Sequence, residues 1–198
     1  MGRKSLAKER REQILDAFEV CIRKYGLDGS SLEMIAEEAG VKRAIIRHYI
    51  GNRDNLIEAA VSRIIDGFQA ELTFAIESMT QEELIPALLD HLFCYEENEE
   101  ISDYDTLTQA LWATKDRDPH THKQLLNLYH QFENLILDAL QYVFPNTPLE
   151  QRQKVAFGIM CVANDTWSMV DLGFDKNRYD YGRFASETLI ATLEIGDL

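Results

Sequence analysis

The chain has 198 residues, 45% of them hydrophobic, enough for one small unit plus a helical domain with a real core. A formal net charge of −14 is the wrong sign for general adhesion to nucleic acid, and the apolar runs are too broken by charge to span a membrane. With 4 Pro, 10 Gly and no alternating β-type runs, the fold class is predicted to be all-α, with about nine helices. Cys21, Cys94 and Cys161 are far apart and lie inside helical patterns, which fits free thiols in a reducing cytoplasm better than a disulfide frame. The opening M-G-R-K-S-L-A-K-E-R-R-E has no apolar stretch after its basic residues, so no secretory leader is expected.

Residues 2–11 carry Arg3, Lys4, Lys8, Arg10 and Arg11. They read either as a solvated start or as an arm that touches phosphate or the minor groove. The first helix is expected from Ala7 to Tyr25, burying Ile14, Phe18, Cys21, Ile22 and Tyr25, with Gly26 as its end.

The segment from Ser30 to Leu56 is S-S-L-E-M-I-A-E-E-A-G-V-K-R-A-I-I-R-H-Y-I-G-N-R-D-N-L. Ser30 or Ser31 can cap a short helix, and Ser30 with Glu33 has the capping-box spacing. Leu32, Ile35, Ala36 and Ala39 share one stripe, and Gly40 can end the helix in a left-handed conformation. A second short helix over residues 42–50 has Ile46 and Ile50 on one face and Lys42, Arg43, Arg47 and His48 on the other. Asn52 is placed to cap the helix that follows. Two short helices, a tight turn and a basic outer face form the pattern of a helix-turn-helix, whose second helix enters a DNA major groove. A hairpin inside a bundle would share the apolar spacing but has no need of the basic face.

The run I-A-E-E-A-G-V-K-R-A-I-I-R-H-Y-I-G-N-R-D-N-L resembles the signature of the tetracycline-repressor (TetR) family of regulators. Ile35, Ala36, Ala39, Gly40, Val41, Tyr49 and Leu56 match that signature directly. Arg53 stands where the family has a phosphate-contacting lysine, and Ser31 where it has a capping threonine that touches phosphate. Lys42, Ala44, Arg47 and Ile50 depart from the usual small polar, glycine, tyrosine and phenylalanine, so no operator sequence carries over. The resemblance is specific from about Ala7 to Val61. It implies DNA contacts through Ser31, Lys42, Arg43, Ala44, Arg47, His48, Tyr49 and Arg53, and a division into a DNA-binding domain at 7–61 and a ligand-binding and dimerisation domain at 62–198.

A long fourth helix is expected from Arg53 to Met79, about 40 Å at ~1.5 Å per residue, with Gly67 near its middle. Thr80 with Glu83 has capping-box spacing for the fifth, which carries Pro86 in its first turns. Residues 96–100 read as an acidic loop, and Ser102 as the cap of a sixth helix ending near Lys115. D-R-D-P makes the next turn, and a seventh helix runs from Pro119 to Phe144. P-N-T-P stops it, with Thr147 as the cap of an eighth helix over 148–172; the ninth spans 178–195 and is expected to use Tyr181, Phe184, Ala185, Thr188, Leu189 and Leu193. The eighth adds Phe157, Met160, Cys161 and Trp167 to an already complete stripe. Such a circumference needs more than one neighbour, which predicts a homodimer through helices eight and nine.

Charge is asymmetric: residues 1–65 hold twelve Lys/Arg against ten Asp/Glu, and the remaining 133 hold eight against 24. A mildly basic head on an acidic body favours an oriented, salt-sensitive contact with double-stranded DNA.

The resemblance further implies that helices four to seven enclose a small-molecule inducer. Its candidate contacts are Phe68, Leu72, His91, Tyr95, Leu111, Trp112, Tyr129, Phe132 and Trp167, each of which serves ordinary packing equally well. Asp90, Asp103, Asp105 and Asp165 would suit a cationic ligand if one points inward. No H-E-x-x-H, glycine-rich phosphate loop or G-x-S-x-G elbow occurs, and no cofactor, metal or enzymatic activity is expected. The sequence is therefore read as a cytoplasmic, ligand-released DNA-binding repressor. The alternatives are a regulator that answers to a protein or to nothing, and an all-helical enzyme or binding protein with a structural hairpin.

Overall fold

The computed structural model describes residues 2–93 and 103–193. The expectations for Cys94, Tyr95, residues 96–100 and Ser102 fall outside the described residues, as do the side chains of Arg3, Lys4, Asp103 and Asp105. The described residues form helices and turns with no strand: α1 (Gly2–Gly29), α2 (Leu32–Glu38), α3 (Arg43–Tyr49), α4 (Arg53–Ser78), α5 (Gln81–Phe93), α6 (Asp103–Thr114), α7 (Pro119–Val143), α8 (Leu149–Asp171) and α9 (Arg178–Ala191). Their backbone clusters into two compact units. One holds α1 to α3, α4 as far as Asp66, α6, and α7 as far as Tyr129; the other holds the remainder of α4 and α7 with α5, α8 and α9.

In the first unit α1 packs on α2, α3 and α6. Ile14, Phe18, Cys21 and Ile22 of α1 are buried as their spacing predicts, together with Ile35, Ile46, Leu56, Ile57, Leu107 and Leu111. Tyr25 departs from the prediction: it is 53% exposed, because the helical path breaks one residue later at Gly26 (φ 71, ψ 170). A half-buried cation organises the α1–α4 side. Arg63 bonds Asp16 at 2.6 Å, Glu12 at 3.4 Å and also Glu19, which is only 2% exposed. Burial works against the Arg63 charge, yet the hydrogen bonds to Glu19 and Asp16 hold its pKa above the ordinary arginine value.

In the second unit α9 packs along α8 and also meets α5. Gly182 permits this approach: a Cβ there would lie 2.4 Å from Thr166 Oγ1 and 2.7 Å from Phe93. The buried side of α9 is Tyr179, Gly182, Ser186 and Ile190, so Tyr181, Phe184 and Thr188 face out instead of packing within the chain. On α8, Val155, Ile159 and Ala163 are buried while Phe157 and Cys161 are exposed.

The helix ends show which short-range signals decided the turns. Thr80 and Glu83 form their box, with the Thr80 amide and hydroxyl both 2.9 Å from Glu83 Oε2. Asp118 caps α7 by accepting from the His120 amide at 2.9 Å and the Thr121 hydroxyl at 2.6 Å. Thr147 does not cap α8. Pro148 occupies the N-cap position, and the Thr147 hydroxyl points to the Leu193 carbonyl at 3.4 Å. The buried Arg152 secures this turn instead, donating to the Phe144 carbonyl at 2.9 Å and to that of Thr147. Pro86 lies in the second turn of α5, within the first turns its spacing predicts.

Candidate nucleic-acid interface

The hairpin of α2 and α3 begins at a pair of serines with different tasks. Ser31 is the N-cap of α2, its Oγ accepting from the Met34 amide at 3.2 Å. Ser30 is fully buried and donates to the Gly26 carbonyl at 2.7 Å, so the capping box expected between Ser30 and Glu33 is not formed. Glu33 forms an ion pair with Arg43. At the turn, Gly40 takes φ 62 and the Val41 amide returns to the Ala36 carbonyl at 2.9 Å, a helix end that a side chain at Gly40 would strain. Asn52 and Asn55 then exchange amide-to-side-chain bonds of 3.1 and 2.9 Å at the start of α4, which makes Asn52 the cap its position predicted.

Three donors from outside the hairpin hold its carbonyl ends. Gln13 of α1 donates to Ala39 O at 2.8 Å, at the end of α2. Arg11 of α1 donates to Tyr49 O at 2.8 Å, at the end of α3. Arg53 of α4 donates to Ser30 O at 2.7 Å and to Leu27 O, ahead of α2. The carbonyls of Ala39, Tyr49 and Ser30 lie at helix ends or turns, where backbone partners run out, while that of Leu27 also accepts from the Ser30 amide at 3.3 Å. None of the three roles was read from the sequence, since an isolated Arg or Gln carries no spacing signal for a carbonyl 23 to 38 residues away. Arg53 is expected on DNA, and Arg11 either in solvent or in an arm that touches DNA; both donate to backbone carbonyls around the hairpin.

What remains outward on α3 is cationic. Lys42, Arg43, Ala44, Arg47 and His48 are exposed, Tyr49 is half-buried, and Ile46 is fully buried beneath them. His48 and Tyr49 stack edge to face with ring centres 4.8 Å apart. Among the described residues Lys42 and Arg47 make no ion pair, so their charges are available to phosphate or base edges.

The residues expected to contact an inducer are divided between the two units. In the second unit, Phe68 lies 5.9 Å from the rings of both His91 and Phe132, while Leu72 is half-buried. Trp167 in the same unit donates to the Leu92 carbonyl at 2.8 Å and stacks on Tyr179. Asp90 is tied to Arg183, and Asp165 is exposed. In the first unit Leu111 is core, and Trp112 is 51% exposed with its indole donating to the Tyr129 hydroxyl at 3.0 Å.

Comparison with known proteins agrees with this geometry. Residues 14–60 match the family of bacterial regulatory proteins, tetR family. The HTH-type transcriptional regulator BetI of Vibrio vulnificus (strain YJ016) is 32% identical over 96 residues, covering 47% of this chain and 48% of that protein, so the chain spans about half the length of that relative. A TetR transcription regulator from Haloarcula marismortui superposes with a TM-score of 0.72 at 15% identity, over 93% of this chain and 98% of that one. A Saccharomonospora viridis protein solved in complex with choline superposes with a TM-score of 0.71 at 14% identity, over 93% and 96%. The matched segment contains the capped α2, the Gly40 turn and the cationic α3, and the rest of the chain has the same all-helical fold as these structures. Residues 14–60 are thus similar to the tetR family of bacterial regulatory proteins, and the chain shares its all-helical fold with a TetR transcription regulator of known structure.

Proposed function

We propose that the chain is a homodimeric transcription regulator that binds a roughly palindromic DNA site through α3 and leaves it when a small molecule binds in the helical body. The observation that carries this reading is the outward face of α3. Lys42, Arg43, Arg47 and His48 are exposed there, on a helix whose other face is core and whose carbonyl end is tied down by Arg11. A major-groove reader needs both mobile charge and a rigid mount. Ser31 and Tyr49 supply phosphate contacts at the two ends of the hairpin, and Ala44 leaves room for close approach of the backbone. We divide the chain functionally into DNA binding at 7–61 and ligand binding with dimerisation at 62–198, where the acid excess lies.

Inducer binding rests on Phe68, His91 and Phe132, whose rings converge from α4, α5 and α7. Their faces suit an organic ligand, and a coupling of ~1–3 kcal/mol between ligand and DNA changes affinity ~5–150-fold. Dimerisation rests on the exposed Phe157, Tyr181 and Phe184 of α8 and α9. We place the protein in the cytoplasm and assign it no enzymatic activity. No helix among the described residues is long and apolar enough to cross a membrane.

The test is binding to DNA fragments from around the protein's own gene, at two salt concentrations, with competitor DNA. A selective, steeply salt-dependent complex is the expected result. Weak binding that is equal for all fragments would overturn the assignment.

A further inference from the structure

We propose that Glu33 of α2 is a positioning residue for base reading, which holds the Arg43 guanidinium in one orientation at the start of α3. The proposal rests on the reading of α3 as the DNA-contacting helix. Glu33 sits in the first turn of α2, and Arg43 is the first residue of α3. The two side chains meet across the hairpin as an ion pair, although both remain open to solvent at 59% and 46% exposure. Capping does not account for Glu33, because Ser31 caps α2 and Ser30 is turned inward to Gly26. Fold stability does not account for it either, since an exposed pair of this kind contributes little.

An acid beside the foremost cation of a DNA-binding helix carries a cost. It removes one positive charge from the set available to phosphates, and each phosphate neutralised steepens the salt dependence by about 0.9 in log–log slope. What the acid provides is geometry. Arginine reads guanine through a planar fork with two parallel donors, and a carboxylate on one edge of the guanidinium leaves the opposite edge presented in a fixed plane. Lys42 and Arg47, on either side, make no ion pair among the described residues and stay adaptable. The face therefore divides into a braced arginine that discriminates and unbraced cations that adhere.

The experiment is site selection from a random double-stranded DNA library by the full-length protein, repeated with Glu33→Gln, Arg43→Ala and Arg43→Lys. Salt titrations on a scrambled duplex accompany each. Glu33→Gln is expected to keep the wild-type motif except at one base pair per half-site, where preference falls at least about fivefold. It should bind the scrambled duplex more tightly, with a slope steeper by about one. Arg43→Ala should lose the same base pair. Arg43→Lys, which keeps the charge but not the fork, should also lose it, an effect that charge alone would not produce. Both positions are exposed, so all variants should melt with the wild type. A Glu33→Gln motif identical to wild type at every position would overturn the proposal, as would a change at a different base pair from the one Arg43→Ala affects. A wild-type protein that enriches no sequence would instead overturn the DNA-reading function on which it rests.

Discussion

At Arg53 two backbone carbonyls compete with phosphate for one guanidinium. Ser30 and Leu27, whose carbonyl oxygens accept from it, are both buried, so water cannot easily replace it. Arg53→Ala is therefore expected to destabilise the chain by about 1–3 kcal/mol, read from urea unfolding, before any effect on DNA is considered. Arg53→Lys should recover only part of that loss, since one ammonium cannot reproduce two fixed donors. Arg47 is the opposite case. It is exposed, unpaired among the described residues, and set one residue beyond the fully buried Ile46. Arg47→Ala should leave the melting temperature unchanged and weaken binding to a selected site more than tenfold, about 1.4 kcal/mol or more. Unaltered affinity would remove α3 from the interface. The two arginines carry the same charge in sequence and were both assigned to DNA. Only their surroundings separate them, and a linear motif does not encode surroundings.

At the scale of elements, caps and stripes were legible because their signals are local. Asn52, Ser31, Thr80 and Gly40 act within four residues of their partners, and each does what its spacing predicted. Thr147 does not cap α8 because Pro148 takes the N-cap position, which leaves Thr147 one residue outside with its hydroxyl turned to the Leu193 carbonyl. Long-range braces were illegible for the reason already visible at Arg11 and Gln13: one polar residue in a helix looks like solvated surface. Arg63 is another such brace. Replacing it with Ala strips Glu19 of its guanidinium inside the first unit, and because Arg63 is only partly buried the expected loss is about 1–3 kcal/mol. Asp118 provides a pH-dependent check at the head of α7. The Thr121 hydroxyl, followed by the His120 and Thr121 amides, holds its carboxyl below the ordinary value of 3.8. A depressed carboxyl contributes stability that is complete above its unfolded pKa and is lost as pH falls through the lower, folded one. Asp118→Asn should thus reduce stability at neutral pH and flatten the thermal-melt profile below about pH 4, where the wild type loses this cap.

At the scale of the whole molecule, the question left by the fold is what covers α8 and α9. Phe184 is 70% exposed, and Phe157 and Tyr181 are each 55% exposed, while Cys161 on the same pair of helices is also open. Three large rings left in water on helices whose other sides are core would be costly in an isolated chain, and burying each contributes about 1.5–3 kcal/mol. On the proposed dimer, a second copy presenting the same helices would remove these rings from water, and its two-fold axis would match a palindromic DNA site with half-sites about 34 Å apart. A net charge of −14 per chain works against this pairing at long range, so the contact should strengthen with added salt while DNA binding weakens. Phe184→Asp places a carboxylate at the most exposed ring without touching the buried side of α9, which is formed by Tyr179, Gly182, Ser186 and Ile190. The variant should keep its helical circular dichroism and elute at the one-chain mass of 22.8 kDa, where the wild type elutes at twice that. Its affinity for a two-half-site duplex should fall at least about a hundredfold, because each head then binds without the effective concentration its partner supplied. Its affinity for a single half-site should stay within about twofold of wild type, since α3 and its braces lie in the other unit. A Phe184→Asp protein that still runs as a dimer would place the interface elsewhere, and a monomeric wild type that binds the full site tightly would remove the two-fold argument altogether.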